Sequence, residues 1–256
     1  MISKGYNLQN HPTIKPPPLW WQLPFAAALT LHGTVIQQCQ LCRINRCEML
    51  PISAVQQGSH AHWFNRLQYL CQACHQQLHC GQVSFPFFDD KTASKGIAST
   101  YYSFPFDHIM LGYKNGQQLY HLMPLIHAIR QLPKPKGCHI HNSLIIPVPT
   151  SSERLKERGF APVWLLAQFL SFHWQIPLFT GVHRYERQHQ QGLNREQRLD
   201  NMKDAFYFSH LPTAKRLIVF DDVVTTGATL QALVAALLSQ ANNYQITAYA
   251  VLHGNA

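Results

Sequence analysis

From about residue 100 onward, apolar positions fall into short runs separated by polar, Pro- and Gly-containing stretches, and strand-like runs alternate with helix-like ones. Tyr101-Tyr102-Ser103-Phe104 alternates enough for a strand. Asp107 to Leu132 has helical spacing, with a break at Tyr113 to Gly116 and Pro124 starting or bending the later half. Pro133 to Gly137 reads as a loop and Ser143 to Val148 as a buried strand. Pro162 to His173 is helical in period, with Pro162 suited to its first turn. Pro177 to Val182 is strand-like, Arg184 to Asn201 polar, and Leu217 to Phe220 a buried strand. A helix over Leu230 to Leu238 and a strand over Gln245 to Leu252 follow. This alternation predicts an α/β fold with a mostly parallel sheet covered on both faces.

Upstream, residues 1–38 form a Pro-rich, then apolar extension, and 39–90 a Cys- and His-bearing module. Gly, Pro, Ser, Lys and Asp crowd residues 81–100, so the module is expected to end there, Asp89-Asp90 lying in solvated linker. The α/β domain then covers 95–256.

The stretch with the most chemistry is Lys215 to Leu230, KRLIVFDDVVTTGATL. A strand feeding a turn of small residues at a helix N-terminus presents free backbone N–H groups and the positive end of the helix dipole to an anion. Gly227 lets a phosphate approach closely, and Thr225, Thr226 and Thr229 supply hydroxyl donors. Asp221 and Asp222 would repel that phosphate but suit the hydroxyls of an attached sugar, or a metal bridging to it. The ligand so described is a ribose 5-phosphate. The plain alternative is a strand-to-helix turn with threonine caps. In the sugar role, replacing both acids with Asn is expected to cost little stability, as exposed loop carboxylates rarely support a core.

Two Cys-x-x-Cys knuckles, Cys39/Cys42 and Cys71/Cys74, flank a polar loop. Each places two thiolates on one tight turn, and together they suit a closed tetrahedral zinc site without an open catalytic position. Cys47, His75, His79 and Cys80 are near enough in sequence to replace a ligand. Buried free thiols, or a redox pair, are the competing reading.

Composition adds a partner class. The 256 residues carry 21 Lys and Arg against 12 Asp and Glu, a formal charge of +9, favouring polyanions such as nucleic acid or phosphorylated metabolites. With 46% hydrophobic and 13% charged residues, the chain reads as globular. It shows neither an apolar run of membrane-spanning length nor a secretory leader, and seven cysteines in metal-like spacing agree with a cytoplasmic protein. Trp20, Trp21, Leu23, Phe25 and Leu29 are expected to pack against the rest of the protein.

The acid pair, two apolar residues and Thr225-Thr226-Gly227-Ala228-Thr229 resemble the 5-phosphoribosyl-1-pyrophosphate (PRPP) motif of type I phosphoribosyltransferases. By that resemblance Asp221 and Asp222 hold the ribose hydroxyls, and Thr225 to Thr229 wrap the 5′-phosphate. Thr150, Ser151, Arg154 and Arg158 take the pyrophosphate side with Mg²⁺, although a solvated helix start or a DNA-backbone patch fits the same basic residues. As a whole the chain resembles the ComF (competence protein F) family, phosphoribosyltransferase-like proteins with an N-terminal zinc ribbon. The knuckles, His108 to Gly116, Ile146-Pro147-Val148-Pro149 with Arg154 to Phe160, and Gln190 to Leu193 with Arg198 to Asn201 carry the likeness. Arg184-Tyr185-Glu186-Arg187 stands where the family has Arg-x-Thr, which leaves the second substrate open.

That resemblance implies natural transformation: cytoplasmic handling of imported single-stranded DNA, with other DNA-uptake proteins as partners. Trp63-Phe64-Asn65-Arg66 and Tyr185-Glu186-Arg187 pair aromatics with cations as single-strand binding requires, though packing is the commoner fate of such residues. The alternative is an active transferase moving ribosyl phosphate to a nitrogen nucleophile, Asp221 and Asp222 being catalytic; no stretch reads as its base-recognition hood.

Overall fold

The computed structural model describes residues 27, 31–48, 68–78, 82–89, 92–115, 118–185, 205–241 and 243–254. A short helix α1 (Gln72–Gln77) precedes a hairpin of β1 (Val83–Asp89) and β2 (Thr92–Tyr101). Helices α2 (Phe106–Asn115) and α3 (Leu122–Ile129) lead to β3 (Ser143–Pro147). Then come α4 (Ser152–Arg158), α5 (Pro162–Trp174), β4 (Val182–Arg184) and β5 (Phe206–Phe208). The chain closes with β6 (Arg216–Val224), α6 (Ala228–Leu238) and β7 (Gln245–His253).

Five strands form one sheet in the order β1-β2-β7-β6-β3, and β4 pairs with β5 in a separate ribbon. Within the five-stranded sheet, β2–β7, β7–β6 and β6–β3 are parallel and β1–β2 is antiparallel. β6, α6 and β7 make one strand–helix–strand crossover. Leu217 to Phe220 of β6 and Leu230, Leu233 and Leu237 of α6 have no exposed surface. Burial on both faces explains why these strands read as unbroken apolar runs. Helices α3 and α5 pack on each other and on the sheet, while α6 packs on β1, β5 and β6.

The expected α/β class and mostly parallel sheet are therefore present, with four local corrections. Residues 81–100 are not linker: they hold most of the β1–β2 hairpin, whose Phe85 and Phe87 are buried and whose β2 lies inside the main sheet. Gly and Pro signalled loop, yet Gly96 lies where a side chain would strike the Phe85 ring. The strand expected over Tyr101 to Phe104 belongs mostly upstream, since β2 ends at Tyr101. The strand expected over Pro177 to Val182 reduces to a parallel bridge from Leu178 to Ile145. Finally, β6 does not stop at Phe220 but runs through both aspartates to Val224. Trp20, Trp21, Leu23, Phe25, Leu29, Trp63 to Arg66, His79, Cys80, Asp90, Gly116, Arg187, Gln190 to Leu193 and Arg198 to Asn201 lie outside the described residues.

Candidate functional site

The carboxyl ends of β3 and β6 lie side by side, Pro147 pairing with Phe220 and the Val148 N–H donating to the Phe220 carbonyl at 2.9 Å. Ligands in parallel sheets sit at such strand ends. From β6, Asp221 and Asp222 follow Phe220 directly. After Val224 the chain bends through Thr225 to Gly227 and enters α6. Gly227 caps that helix at φ 76°, a left-handed conformation that disfavours side chains. Gly227 offers no side-chain cap, and the first turn of the helix contains no acid. Thr225 and Thr226 are exposed, and Ala228 and Thr229 half-buried. The Thr226 hydroxyl accepts from the Ala228 N–H at 3.4 Å.

The aspartates are buried, at 8% exposure for Asp221 and 5% for Asp222. This corrects the expectation of exposed loop carboxylates whose replacement costs little: the strand carries both into the sheet. Asp222 Oδ1 accepts from Lys114 Nζ at 2.7 Å and from the Val223 N–H at 2.7 Å, and Asp221 Oδ1 accepts from the Asp222 N–H at 2.9 Å. Burial, followed by the neighbouring Asp222 charge, pushes the Asp221 carboxyl up to about 8, with Lys114 and Arg184 pulling the other way.

Lys114 enters from the C-terminal turn of α2, and the next residue, Asn115, accepts from Arg158 Nη2 of α4 at 3.2 Å. One helix end thus touches both the acid pair and the basic helix after β3. On that side, Ser151 caps α4 by accepting from the Arg154 N–H at 3.4 Å, Thr150 is half-buried, and Arg154 is exposed. Arg154 faces Arg184 of β4, whose charge also feels Asp221. The fold so gathers Thr150, Ser151, Arg154 and Arg158 and the residues Asp221 to Thr229 at one end of the sheet. Lys114 and Arg184 joined this group without being anticipated. For Lys114 the available signal was the Tyr113-Lys114-Asn115-Gly116 string, which breaks the helical pattern with a cation.

The raised Asp221 pKa gives a stability prediction. The folded chain binds this proton more tightly than the unfolded one. Stability contributed by the neutral carboxyl is therefore present near pH 4 and lost as pH rises through about 8. Asp221→Asn removes that loss. Its melting temperature relative to wild type should rise between about pH 5 and about pH 9, and a gap constant over that range would contradict the assignment.

The second cluster lies in the N-terminal module. Cys39, Cys42, Cys71 and Cys74 bring their sulfurs within 4.8 Å of one another, and Cys42 and Cys71 are 3.9 Å apart. A tetrahedral zinc with bonds of about 2.3 Å requires sulfurs about 3.8 Å apart, so the donor set can hold such an ion. The first knuckle is folded by Cys39 N–H to Asn45 and Arg43 N–H to Cys39, and the Gln40 N–H ties it to Tyr69 at 2.9 Å. Backbone donation from Asn45 and Ile44 lowers the Cys42 thiol to about 6. Cys47 stays outside the cluster, and burial, with charge on the neighbouring cysteines, pushes its thiol up to about 12. His75 pairs instead with His127 of α3 at 2.9 Å.

No protein-family model matches the chain. It is 36% identical over 94 residues to competence protein F of Haemophilus influenzae, covering 34% of this chain and 40% of that protein. It is 28% identical over 111 residues to competence protein ComFC of Bacillus subtilis, covering 43% of this chain and 44% of that protein. The matches thus span under half the length of these relatives. Among solved structures, adenine phosphoribosyltransferase of Leishmania tarentolae superposes with a TM-score of 0.29 at 11% identity, over 70% of this chain and 86% of that one. The Leishmania donovani enzyme gives 0.28 at 12%, over 71% and 80%. These scores are too low to carry the fold, which rests on the strand order itself. The mostly parallel sheet with the acid-pair loop at its strand ends is the α/β arrangement expected from the sequence. Over part of its length, the chain is similar to the ComF competence proteins.

Proposed function

We propose that this is a competence protein that handles imported single-stranded DNA in the cytoplasm and carries a PRPP site. The observation that carries the PRPP part is Asp221-Asp222 at the carboxyl end of β6, one turn ahead of the N-terminus of α6. Asp221 and Asp222 orient the ribose through its hydroxyls. The N–H groups and hydroxyls of Thr225 to Thr229 take the 5′-phosphate, and Thr150, Ser151, Arg154 and Arg158 face the pyrophosphate. Mg²⁺ bound with PRPP would supply charge neutralisation at this site, with Asp221 and Asp222 as the acids available to it. Cys39, Cys42, Cys71 and Cys74 hold structural zinc, and other DNA-uptake proteins are partners. The formal charge of +9 and the competence relatives support the DNA role.

Single-strand binding held by phosphate contacts should weaken about tenfold or more between about 50 and about 200 mM salt, given three or more contacts. Anisotropy titration of labelled oligo(dT) measures this. A flat salt response would contradict it.

One observation favours a second reading. A largely apolar cavity of about 180 Å³ lies at the end of β3, lined by Val148, Trp164 and Phe179, with Thr150 and Thr180 as polar groups. A pocket of that kind beside a ribose-phosphate cradle suits the nitrogen base of an active phosphoribosyltransferase. Pyrophosphate released from PRPP on adding a base would establish that activity.

A further inference from the structure

The β4–β5 ribbon uses its two faces differently. Its antiparallel register pairs Val182 with Phe208, His183 with Tyr207 and Arg184 with Phe206. The Tyr185 N–H extends the ladder to the Ala205 carbonyl at 3.0 Å. Alternation places Val182, Phe206 and Phe208 on the buried face, all under 10% exposed. His183, Tyr185 and Tyr207 share the other face, where Tyr185 is 49% and Tyr207 38% exposed. Their rings touch in series. His183 stacks on Tyr207 with centroids 5.1 Å apart and planes at 27°, and Tyr185 lies 4.7 Å from Tyr207. Arg184 projects between them to the other face, 5.5 Å over Phe206 and near Arg154.

We infer that the His183–Tyr207–Tyr185 face is a stacking surface for the bases of single-stranded DNA. The inference rests on the single-strand reading above and adds the place where the strand sits. Three contiguous exposed rings offer more flat surface than a two-stranded ribbon needs for its own pairing. Each ring presents a face to any base, so the surface selects unpaired bases without selecting their sequence. Double-stranded DNA hides its base faces and is discriminated against.

The test is anisotropy titration of a labelled oligo(dT) of about 15 nucleotides, a length within the usual single-strand site size. Tyr185→Ala with Tyr207→Ala should weaken binding about tenfold or more, while Tyr185→Phe with Tyr207→Phe should stay within about twofold of wild type. Metal content and PRPP affinity check that the Ala variant is folded. A second arm needs no variant: an abasic strand of equal length and charge should bind wild type about tenfold more weakly than oligo(dT). Equal affinity of the abasic strand, or an undiminished Ala variant, overturns the stacking surface while leaving the DNA reading intact. Failure of wild type to bind oligo(dT) overturns both.

Discussion

Asp222→Ala should lower PRPP affinity about a hundredfold and also destabilise the protein. The affinity loss follows from two hydrogen bonds between a carboxylate and ribose hydroxyls, at roughly 1.5 kcal/mol each, or about 3 kcal/mol together. The stability loss follows from Lys114, whose side chain is only 21% exposed and which bonds Asp222 at 2.7 Å. Deleting one partner of a largely buried pair leaves the other charge uncompensated. Asp222→Asn retains the shape and an acceptor and should cost less stability while still weakening PRPP. Calorimetry and thermal melts separate the two effects. Unchanged PRPP affinity in Asp222→Ala would remove the ribose role, and unchanged stability would make the Lys114 contact energetically idle.

Cys71→Ser is expected to have the other large effect. Serine is a poor zinc ligand, so zinc by elemental analysis should fall from about one per chain toward zero. Structural zinc contributes an apparent 10–16 kcal/mol in small modules, so losing even about 3 kcal/mol would lower the melting temperature by ~6–12 °C. The loss should not stay local. Cys39, Leu70, Cys71 and Cys74 share one continuous core with Phe85, Phe87 and the central strands, and the Thr100 hydroxyl donates to the Leu78 carbonyl at 2.9 Å. Chelation of the wild type should reproduce the shift. Wild-type protein purified without zinc and with an unshifted melt under chelator would contradict a structural metal.

Much of the fold was legible because the central strands are buried on both faces. Leu217 to Phe220 and Ser143 to Val148 therefore stand out as apolar runs. The hairpin was missed because its strands include Pro86, Gly96 and Asp89, residues that usually break strands. Ribbon strand β5 is three residues long, too short for any periodic signal. At the site, contiguous residues were easy to recognise: Asp221 to Thr229 follow one another, and each Cys pair spans one turn. Lys114 and Arg184 were not, because they reach the acid pair from 108 and 37 residues away, and only the folded chain brings them there. Acid burial was hidden for the same reason. A carboxylate pair looks solvated in sequence until the strand beneath it is seen to continue.

The most direct measurement is calorimetric titration of PRPP with Mg²⁺ into the full chain, with and without oligo(dT). Binding is expected at about one site per chain, with a PRPP affinity that changes when DNA is present. Coupling of this kind is reciprocal, so PRPP must change DNA affinity by the same factor. Binding of PRPP indifferent to DNA would contradict the joined function and favour the transferase. No binding at all would contradict the site itself.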